Sequence, residues 1–250
     1  MQIDLSNKKI IITGASSGIG KAIAKSLMAS GAQVAIHCNA NTEAANELLI
    51  EGNNSQVFKA NLGNPEEIEP FFTDVLQAFG KIDLIVHNAG IFEKHALDDS
   101  NWLEVWQKSM RVNLDAVGIL TQLGINHFKE NKDGGRMIYV ASRAAFRGET
   151  EDYLAYAASK GGVVSLGRTV ARSFGKYNIK SFLLAPGFTQ TPMAQSFIDE
   201  HGEDAVLSEL SLKTLTQPED IAPIVNLIAA GLMDHATGST IDFNAGSYVH

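Results

Sequence analysis

Short apolar runs alternate with longer amphipathic segments from one end of this 250-residue chain to the other. The runs are rich in β-branched residues, and several are apolar along most of their length. Such runs are typical of parallel strands that helices cover on both faces. The pattern predicts seven strands, at residues 8–13, 33–37, 56–60, 82–87, 136–141, 180–185 and 239–243.

The amphipathic segments between the runs predict helices at residues 18–30, 42–51, 65–79, 101–131, 152–177 and 218–232. Regular alternation of strand and helix predicts an α/β fold, in which helices flank a doubly wound parallel sheet. No linker interrupts the alternation, so we expect a single domain over residues 1–250. Residues 189–215 depart from it after the sixth strand, and we expect them to form a helical lid over a substrate.

Composition and charge narrow the class of partner. The chain has 28 acidic and 20 basic residues, which give a net charge of −8. This charge disfavours binding to nucleic acid and to anionic membranes, so we expect a small-molecule partner.

Cys38 is the single cysteine, which excludes an internal disulfide and a multi-cysteine metal site, and we expect no metal centre. The sequence lacks a signal peptide and a bilayer-spanning apolar segment, which predicts a cytoplasmic protein.

A glycine-rich segment joins the first predicted strand to the first predicted helix. It reads Thr-Gly-Ala-Ser-Ser-Gly-Ile-Gly, with the glycines at positions 14, 18 and 20. Gly14 permits a tight turn, Gly18 lets the backbone approach a pyrophosphate, and Gly20 allows close helix–strand packing. A glycine-rich turn that binds nothing is the alternative, but its place at the first crossover of an α/β chain favours a dinucleotide.

A second candidate site combines Tyr156 and Lys160, four residues apart on one helix face, with Ser142 at the end of an apolar run. A lysine cation beside a phenol favours the phenolate, which lowers the phenol pKa towards the range of a general acid and base. Taken singly, Ser142 could be a turn residue, Tyr156 a half-buried aromatic side chain and Lys160 part of a solvated helix face.

These segments together resemble the short-chain dehydrogenase/reductase family in order and spacing. The resemblance rests on the glycine-rich segment, Asn88-Ala89-Gly90, Asn113, the Ser142, Tyr156 and Lys160 set, and Pro186-Gly187, and it covers nearly the whole chain. It implies a single Rossmann-like domain and hydride transfer between a nicotinamide and a carbonyl or secondary alcohol.

The resemblance also implies the catalytic roles. Tyr156 delivers the proton, Ser142 orients the substrate oxygen, and Lys160 lowers the pKa of Tyr156 and binds the nicotinamide ribose. Asn113 holds a water that connects Lys160 to solvent. The alternative role for Asn113 is a purely structural polar contact of its helix. The cofactor-binding residues are expected to be Gly14, Ser16, Ser17, Gly18, Ile19, Gly20, Cys38, Asn39, Asn61, Leu62, Asn88, Ala89, Gly90, Tyr156, Lys160, Pro186, Gly187, Thr189 and Thr191.

The choice of cofactor depends on the end of the second strand. Members that prefer NAD carry an acidic residue there, which accepts hydrogen bonds from the ribose hydroxyls. Here the strand ends in Cys38-Asn39, and the first carboxylate is Glu43. The absence of a repelling acid favours NADP(H), while NAD(H) stays open.

Substrate residues are expected in the loops after the fifth and sixth strands: Ser142, Arg143, Phe146, Arg147, Phe188 and Met193. Arg143 and Arg147 could bind a substrate carboxylate or phosphate. As the alternative, they pair with Glu149, Glu151 or Asp152 on the surface.

The resemblance favours members that reduce 3-oxoacyl thioesters, and other small ketones stay open. Lys129, Lys132 and Lys176 are candidates for docking an acidic carrier protein. A non-catalytic dinucleotide-binding regulator is the alternative function, and an epimerase or dehydratase of the extended branch is a third. The family further implies a homodimer or homotetramer that packs through helices 101–131 and 152–177, with residues 237–249 as a second interface.

Overall fold

The computed structural model describes residues 3–249, apart from the side chains of Ser196 and His201. Seven parallel strands form one sheet, and their bounds lie within two residues of the predicted ones. They are β1 (Lys9–Ile12), β2 (Gln33–Cys38), β3 (Gln56–Lys59), β4 (Leu84–His87), β5 (Gly135–Val140), β6 (Ile179–Pro186) and β7 (Thr240–Phe243). Their order across the sheet is β3-β2-β1-β4-β5-β6-β7.

The direction of winding reverses between β1 and β4. Ile10 of β1 is in register with Val34 of β2 on one side and with Leu84 of β4 on the other. The segments that leave β1 and β4 therefore turn to opposite faces of the sheet. In open α/β sheets this topological switch point opens a crevice at the carboxyl ends of the strands, where ligands bind.

Helices cover both faces of the sheet, as the apolar strands predict. They are α1 (Gly18–Ala29), α2 (Thr42–Asn46), α3 (Pro65–Phe79), α4 (Trp102–Met110), α5 (Ala116–Glu130), α6 (Ala144–Arg147), α7 (Leu154–Phe174), α8 (Pro192–His201), α9 (Glu203–Ser208) and α10 (Pro218–Ala229). Successive side chains of β1 point to opposite faces of the sheet and pack in two different hydrophobic clusters. Ile10 and Ile12 pack with α1 and α10, whereas Ile11 packs with α3, α5 and α7.

The predicted helix 101–131 is interrupted at its centre. A π-helical turn, Arg111–Asp115, separates α4 from α5, and the Ala116 N–H donates to the carbonyl of Arg111, five residues earlier. Such turns leave the hydrophobic periodicity of a helix almost unchanged, so the sequence pattern does not reveal them. They occur frequently at functional sites, and this one contains Asn113.

One short helix is shorter than the sequence predicted, and another was not predicted at all. Helix α2 ends at Asn46 because the next turn tightens, with Leu48 N–H donating to Ala45 and Leu49 N–H to Asn46. This turn buries Leu48 in the core. Helix α6 is absent from the prediction, since four residues are too few to show a helical period.

The segment 189–215 is helical as expected, and it consists of α8 and α9. A parallel bridge between Thr189 and Thr216 joins its two ends, so the segment leaves and re-enters the domain at one place. Lys94, in the loop after β4, forms an ion pair of 2.6 Å with Glu200 on α8. None of the helices within residues 3–249 is both long and apolar enough to cross a bilayer.

Candidate active site

A cleft of about 690 Å³ opens at the carboxyl ends of the strands. That volume lies in the usual range for small-molecule and cofactor sites. Segments that follow β1 to β6 line it, together with part of α4, the π-helical turn and the start of α8. The predicted cofactor residues at the cleft are Gly14, Ser16, Ser17, Gly18, Ile19, Asn39, Asn61, Leu62, Asn88, Ala89, Gly90, Tyr156, Lys160, Pro186, Gly187, Thr189 and Thr191.

The glycine turn has the geometry that a pyrophosphate requires. Gly14 and Gly18 adopt φ values of 64° and 53°, in the left-handed region that favours glycine. A Cβ on Gly20 would lie 2.4 Å from the carbonyl oxygen of Gly14, so this glycine permits the predicted close packing. The first N–H groups of α1 have no intrahelical partner, and they face the cleft as donors for an anion.

Hydrogen bonds lock the glycine turn to the segment after β4. The Thr13 hydroxyl accepts from the backbone N–H groups of Asn88 (2.9 Å) and Ala89 (3.0 Å). In return, the Asn88 amide donates to the carbonyls of Thr13 (2.9 Å) and Gly14 (3.0 Å). The side chains of Thr13 and Asn88, each bonded to the backbone of the opposite segment, therefore hold the two sides of the crevice at a fixed separation.

Ser142, Tyr156 and Lys160 meet at the same cleft. Ser142 ends the segment after β5, while Tyr156 and Lys160 lie on one face of α7. The Lys160 Nζ atom donates to the carbonyl of Val140 at 2.8 Å and lies 5.7 Å from the centre of the Tyr156 ring. Lys160 is 5% exposed, which excludes its interpretation as part of a solvated helix face.

Burial dominates the acidity of these groups. It raises the pKa of Tyr156 to about 12, and a hydrogen bond with the Ser142 side chain lowers it in opposition. Burial also lowers the pKa of Lys160 to about 8. The sequence predicted a lowered pKa for Tyr156; the structure favours the opposite direction, because the loss of hydration outweighs the hydrogen bond with Ser142.

Asn113 is fully buried in the π-helical turn, next to the cleft. Its Oδ1 atom accepts from the Ile91 N–H at 2.8 Å, and its Nδ2 atom donates to the Ile91 carbonyl and the Ser159 hydroxyl. A Cβ on Gly90 would contact both Asn113 Oδ1 and Lys160 Nζ, which places these two side chains around one backbone position. The side chain of Asn113 thus fixes the segment after β4 against α7.

Gly20 and Asn113 lie behind the lining of the cleft, and three further predicted site residues lie away from it. Cys38 is fully buried in the core beside α1, and burial raises the pKa of its thiol. Phe146 turns towards α7, where the Arg168 guanidinium lies 5.6 Å from its ring. Arg147 pairs with Glu149 at 3.6 Å, as its surface alternative predicted, and with Glu209 at 3.4 Å. Cys38 ends a strand and the other two lie in the four-residue helix α6, which is too short to carry a periodicity from which side-chain directions could be predicted.

Arg143 and Phe188 do line the cleft, as does Met193. The guanidinium of Arg143 lies 4.6 Å from the ring of Phe188 and bonds Glu209 at 2.9 Å. Arg143 therefore pairs with Glu209 and not with Glu151 or Asp152, which the surface alternative named. Glu209 follows α9, which places it next to the loop after β5.

Of an aromatic wall at the cleft, the sequence predicted Phe188 but missed Phe92 and Phe197. Phe92 packs edge-on against Tyr156 at 4.7 Å, and Phe188 lies 5.2 Å from Phe197 of α8. Phe92 follows the Asn-Ala-Gly segment by two positions, so its place after β4 was the available signal. Other lining residues that were not predicted include His37, Lys108 and Arg111.

The fold and this cleft are those of an α/β protein with a glycine turn at the switch point and a serine, a tyrosine and a lysine at the same cleft. The model of the short chain dehydrogenase family matches residues 8–202. The chain belongs to the short-chain dehydrogenase/reductase family of oxidoreductases, as its motifs predicted.

Relatives with different substrates cover nearly the whole chain. The 3-oxoacyl-[acyl-carrier-protein] reductase of Vibrio cholerae is 31% identical over 99% of this chain and 100% of its own. A 3beta-hydroxysteroid dehydrogenase of Eggerthella lenta is 30% identical over 98% and 95%. A short chain dehydrogenase of Burkholderia cenocepacia, solved in complex with NADP, has a TM-score of 0.89 and 29% identity over 99% of each chain.

Replacement of Thr13 by Val tests the lock between the two sides of the crevice. Valine has nearly the shape of threonine but leaves the N–H groups of Asn88 and Ala89 without their acceptor. We expect Thr13→Val to lower the free energy of unfolding by about 2 kcal/mol, measured by urea denaturation. Thr13→Ser keeps the acceptor and should lose less, and equal losses in both variants would contradict the assignment.

Proposed function

We propose that this protein is an oxidoreductase that reduces a carbonyl, or oxidises the corresponding secondary alcohol, with NADP(H). The observation that carries the proposal is the meeting of Ser142, Tyr156 and Lys160 with the glycine turn at one cleft. When bound, the nicotinamide supplies or accepts the hydride. The chain's own residues then manage the proton and the charge on the substrate oxygen.

Tyr156 acts as the general acid in carbonyl reduction. Hydride addition builds negative charge on the carbonyl oxygen, which needs a donor and then a proton. The hydroxyls of Ser142 and Tyr156 share a hydrogen bond and can both reach such an oxygen. Because burial keeps the phenol protonated, it is ready to donate. Lys160, whose pKa burial lowers to about 8, would hold the nicotinamide ribose and can itself gain or lose a proton near neutral pH.

NADP(H) is the proposed cofactor. Asn39 and Ser16 line the cleft where β2 ends and the glycine turn begins, and the terminal residue of β2 is Cys38 rather than an acid. An additional phosphate on the ribose therefore meets hydroxyl and amide groups instead of a carboxylate. The NADP complex of the Burkholderia relative supports the same choice.

The substrate is proposed to have an apolar part, as a 3-oxoacyl thioester has. Phe92, Phe188, Met193 and Phe197 border the cleft, and Phe92 touches Tyr156 directly. An apolar wall next to the proton donor favours a hydrophobic carbonyl over a fully hydroxylated one. Residues 189–215, which carry Met193 and Phe197, are the proposed lid.

The lysines expected to dock a carrier protein lie at the opposite end of the sheet. Lys129 ends α5 just before β5, and Lys176 follows α7 just before β6. Both thus stand at the amino ends of strands, and they gather around the ring of Tyr177. A thioester that needs no protein docked there, such as one of coenzyme A, suits the cleft better.

A non-catalytic regulator on the same fold remains the alternative. It would bind the dinucleotide without turnover. The buried Lys160 argues against it, because a binding module gains nothing from the desolvation of an ammonium beside a phenol.

We further propose a homodimer or homotetramer that packs through α4, α5 and α7. A groove on the outer side of α7, lined by apolar residues such as Phe146 and by the polar residues Ser165, Arg168, Thr169 and Arg172, offers a mixed surface for such a contact. Light scattering coupled to size exclusion should give twice or four times the 26.9 kDa chain mass. A monomeric mass would refute the assembly.

Tyr156→Phe tests the reaction. We expect the variant to bind NADPH normally but to lose turnover by a factor of about 10³ or more, since the proton donor is absent while the ring packing remains. NADPH oxidation should be followed over 3-oxoacyl thioesters, diketones, sugars and steroids. Tyr177→Phe, at the far end of the sheet, is the matched control.

Two outcomes would contradict the proposed function. One is a wild-type protein that consumes neither NADPH nor NADH with any carbonyl of the panel. The other is a Tyr156→Phe variant that turns over as fast as the wild type. Binding of NADPH without any turnover would favour the regulator.

Asn39→Asp tests the cofactor preference, since it places a carboxylate at the cleft without a change of shape. We expect NADPH to bind about tenfold more weakly and NADH to be unaffected or improved, because the carboxylate repels a 2′-phosphate and accepts from a 2′-hydroxyl. Dissociation constants for both cofactors measure this. An unchanged ratio of the two would refute NADP(H) selection at this position.

A further inference from the structure

His37 is a buried histidine that the catalytic scheme leaves unused. It stands one residue before the end of β2, is 2% exposed, and borders the cleft beneath the glycine turn. Its ring packs edge-on against Phe71 of α3 at 5.0 Å. The ring is therefore held between the sheet and a helix, with little freedom to rotate.

Both ring nitrogens of His37 have backbone partners. The Gly14 N–H donates to Nδ1 at 3.0 Å, and Nε2 lies 3.0 Å from the carbonyl oxygen of Ala60. Since Nδ1 accepts, the proton must be on Nε2, which donates to Ala60. Burial lowers the pKa of His37, in keeping with this neutral form. The imidazole thus bridges the start of the glycine turn to the end of β3.

The main chain of His37 extends the same contact. Its carbonyl accepts from the Ala15 N–H at 2.8 Å, so one residue binds the N–H groups of both Gly14 and Ala15. The Gly14 carbonyl is held from the other side by Asn88. Gly14 itself has a left-handed φ of 64°, so these bonds hold a backbone conformation that few other residues adopt.

We infer that His37 is a positioning residue for dinucleotide binding: its neutral imidazole fixes the Gly14 peptide, so that the following N–H groups face the pyrophosphate. The inference rests on the proposed function only in requiring that the protein binds a dinucleotide. Both ring nitrogens bond the backbone, so we assign the His37 side chain no hydrogen bond to the ligand itself.

Three substitutions separate this role from packing. Asparagine places an amide oxygen near the position of Nδ1 and can still accept from Gly14. Glutamine extends towards Ala60 instead, and phenylalanine fills the volume but accepts nothing. If His37 positions the turn, His37→Asn should bind NADPH within about threefold of the wild type, and His37→Gln and His37→Phe about tenfold more weakly.

The measurements are the NADPH dissociation constant by calorimetry, hydrogen exchange of the Gly14 amide, and kcat at saturating cofactor. We expect Gly14 to exchange faster in the Gln and Phe variants, and kcat to stay within about twofold of wild type. His127 provides the matched control. Its Nε2 atom accepts the Ile82 N–H at 3.0 Å, at the amino end of β4, so His127→Phe should leave NADPH affinity unchanged.

The inference is overturned if His37→Phe binds NADPH as tightly as the wild type, or if His37→Asn is as weak as His37→Phe. Should the Phe variant not fold, the Asn and Gln variants decide by the same comparison. A wild-type protein that binds neither NADPH nor NADH would instead overturn the proposed function, and the positioning role with it.

Discussion

The close approach of two backbone segments at the switch point is the constraint on which the site depends. A Cβ on Gly14 would lie 2.9 Å from the Cα atom of Ala89, so only glycine allows the turn after β1 to meet the segment after β4. Thr13 and Asn88 hold the two segments together with four hydrogen bonds. The cleft is the space left where these segments separate.

The burial of Lys160, which is proposed to be catalytic, carries an energetic cost that the surrounding structure must offset. Burial shifts the pKa of Lys160 from 10.5 to about 8, a penalty on its charge of roughly 3 kcal/mol. The Val140 carbonyl partly offsets this penalty by accepting from the ammonium. Asn113 and Ser159 stiffen the contact between α7 and the segment after β4. Burial that disfavours the charged form of a lysine brings its pKa closer to neutral pH, where the group can gain and lose a proton.

The sequence predicted strands and motif positions well for a physical reason. Helices cover both faces of the sheet, so nearly every strand position must be apolar, and runs such as Ile10–Ile12 are conspicuous. Glycines at required positive φ, and polar side chains in strand-end loops, leave equally local signals. The π-helical turn around Asn113 left none, because it changes the register of hydrogen bonds without changing which residues are buried.

What the sequence determined by itself is the α/β architecture, the glycine turn after β1 and the shared helix face of Tyr156 and Lys160, since each follows from spacing along the chain; the addition of Ser142 to this pair followed from the family resemblance. Only the tertiary structure decided the direction of the Tyr156 pKa shift, the turning of Phe146 and Arg147 away from the cleft, and the placement of His37 under Gly14. These properties depend on desolvation and on contacts between residues distant in sequence. Such contacts exist only once the strands and helices have packed.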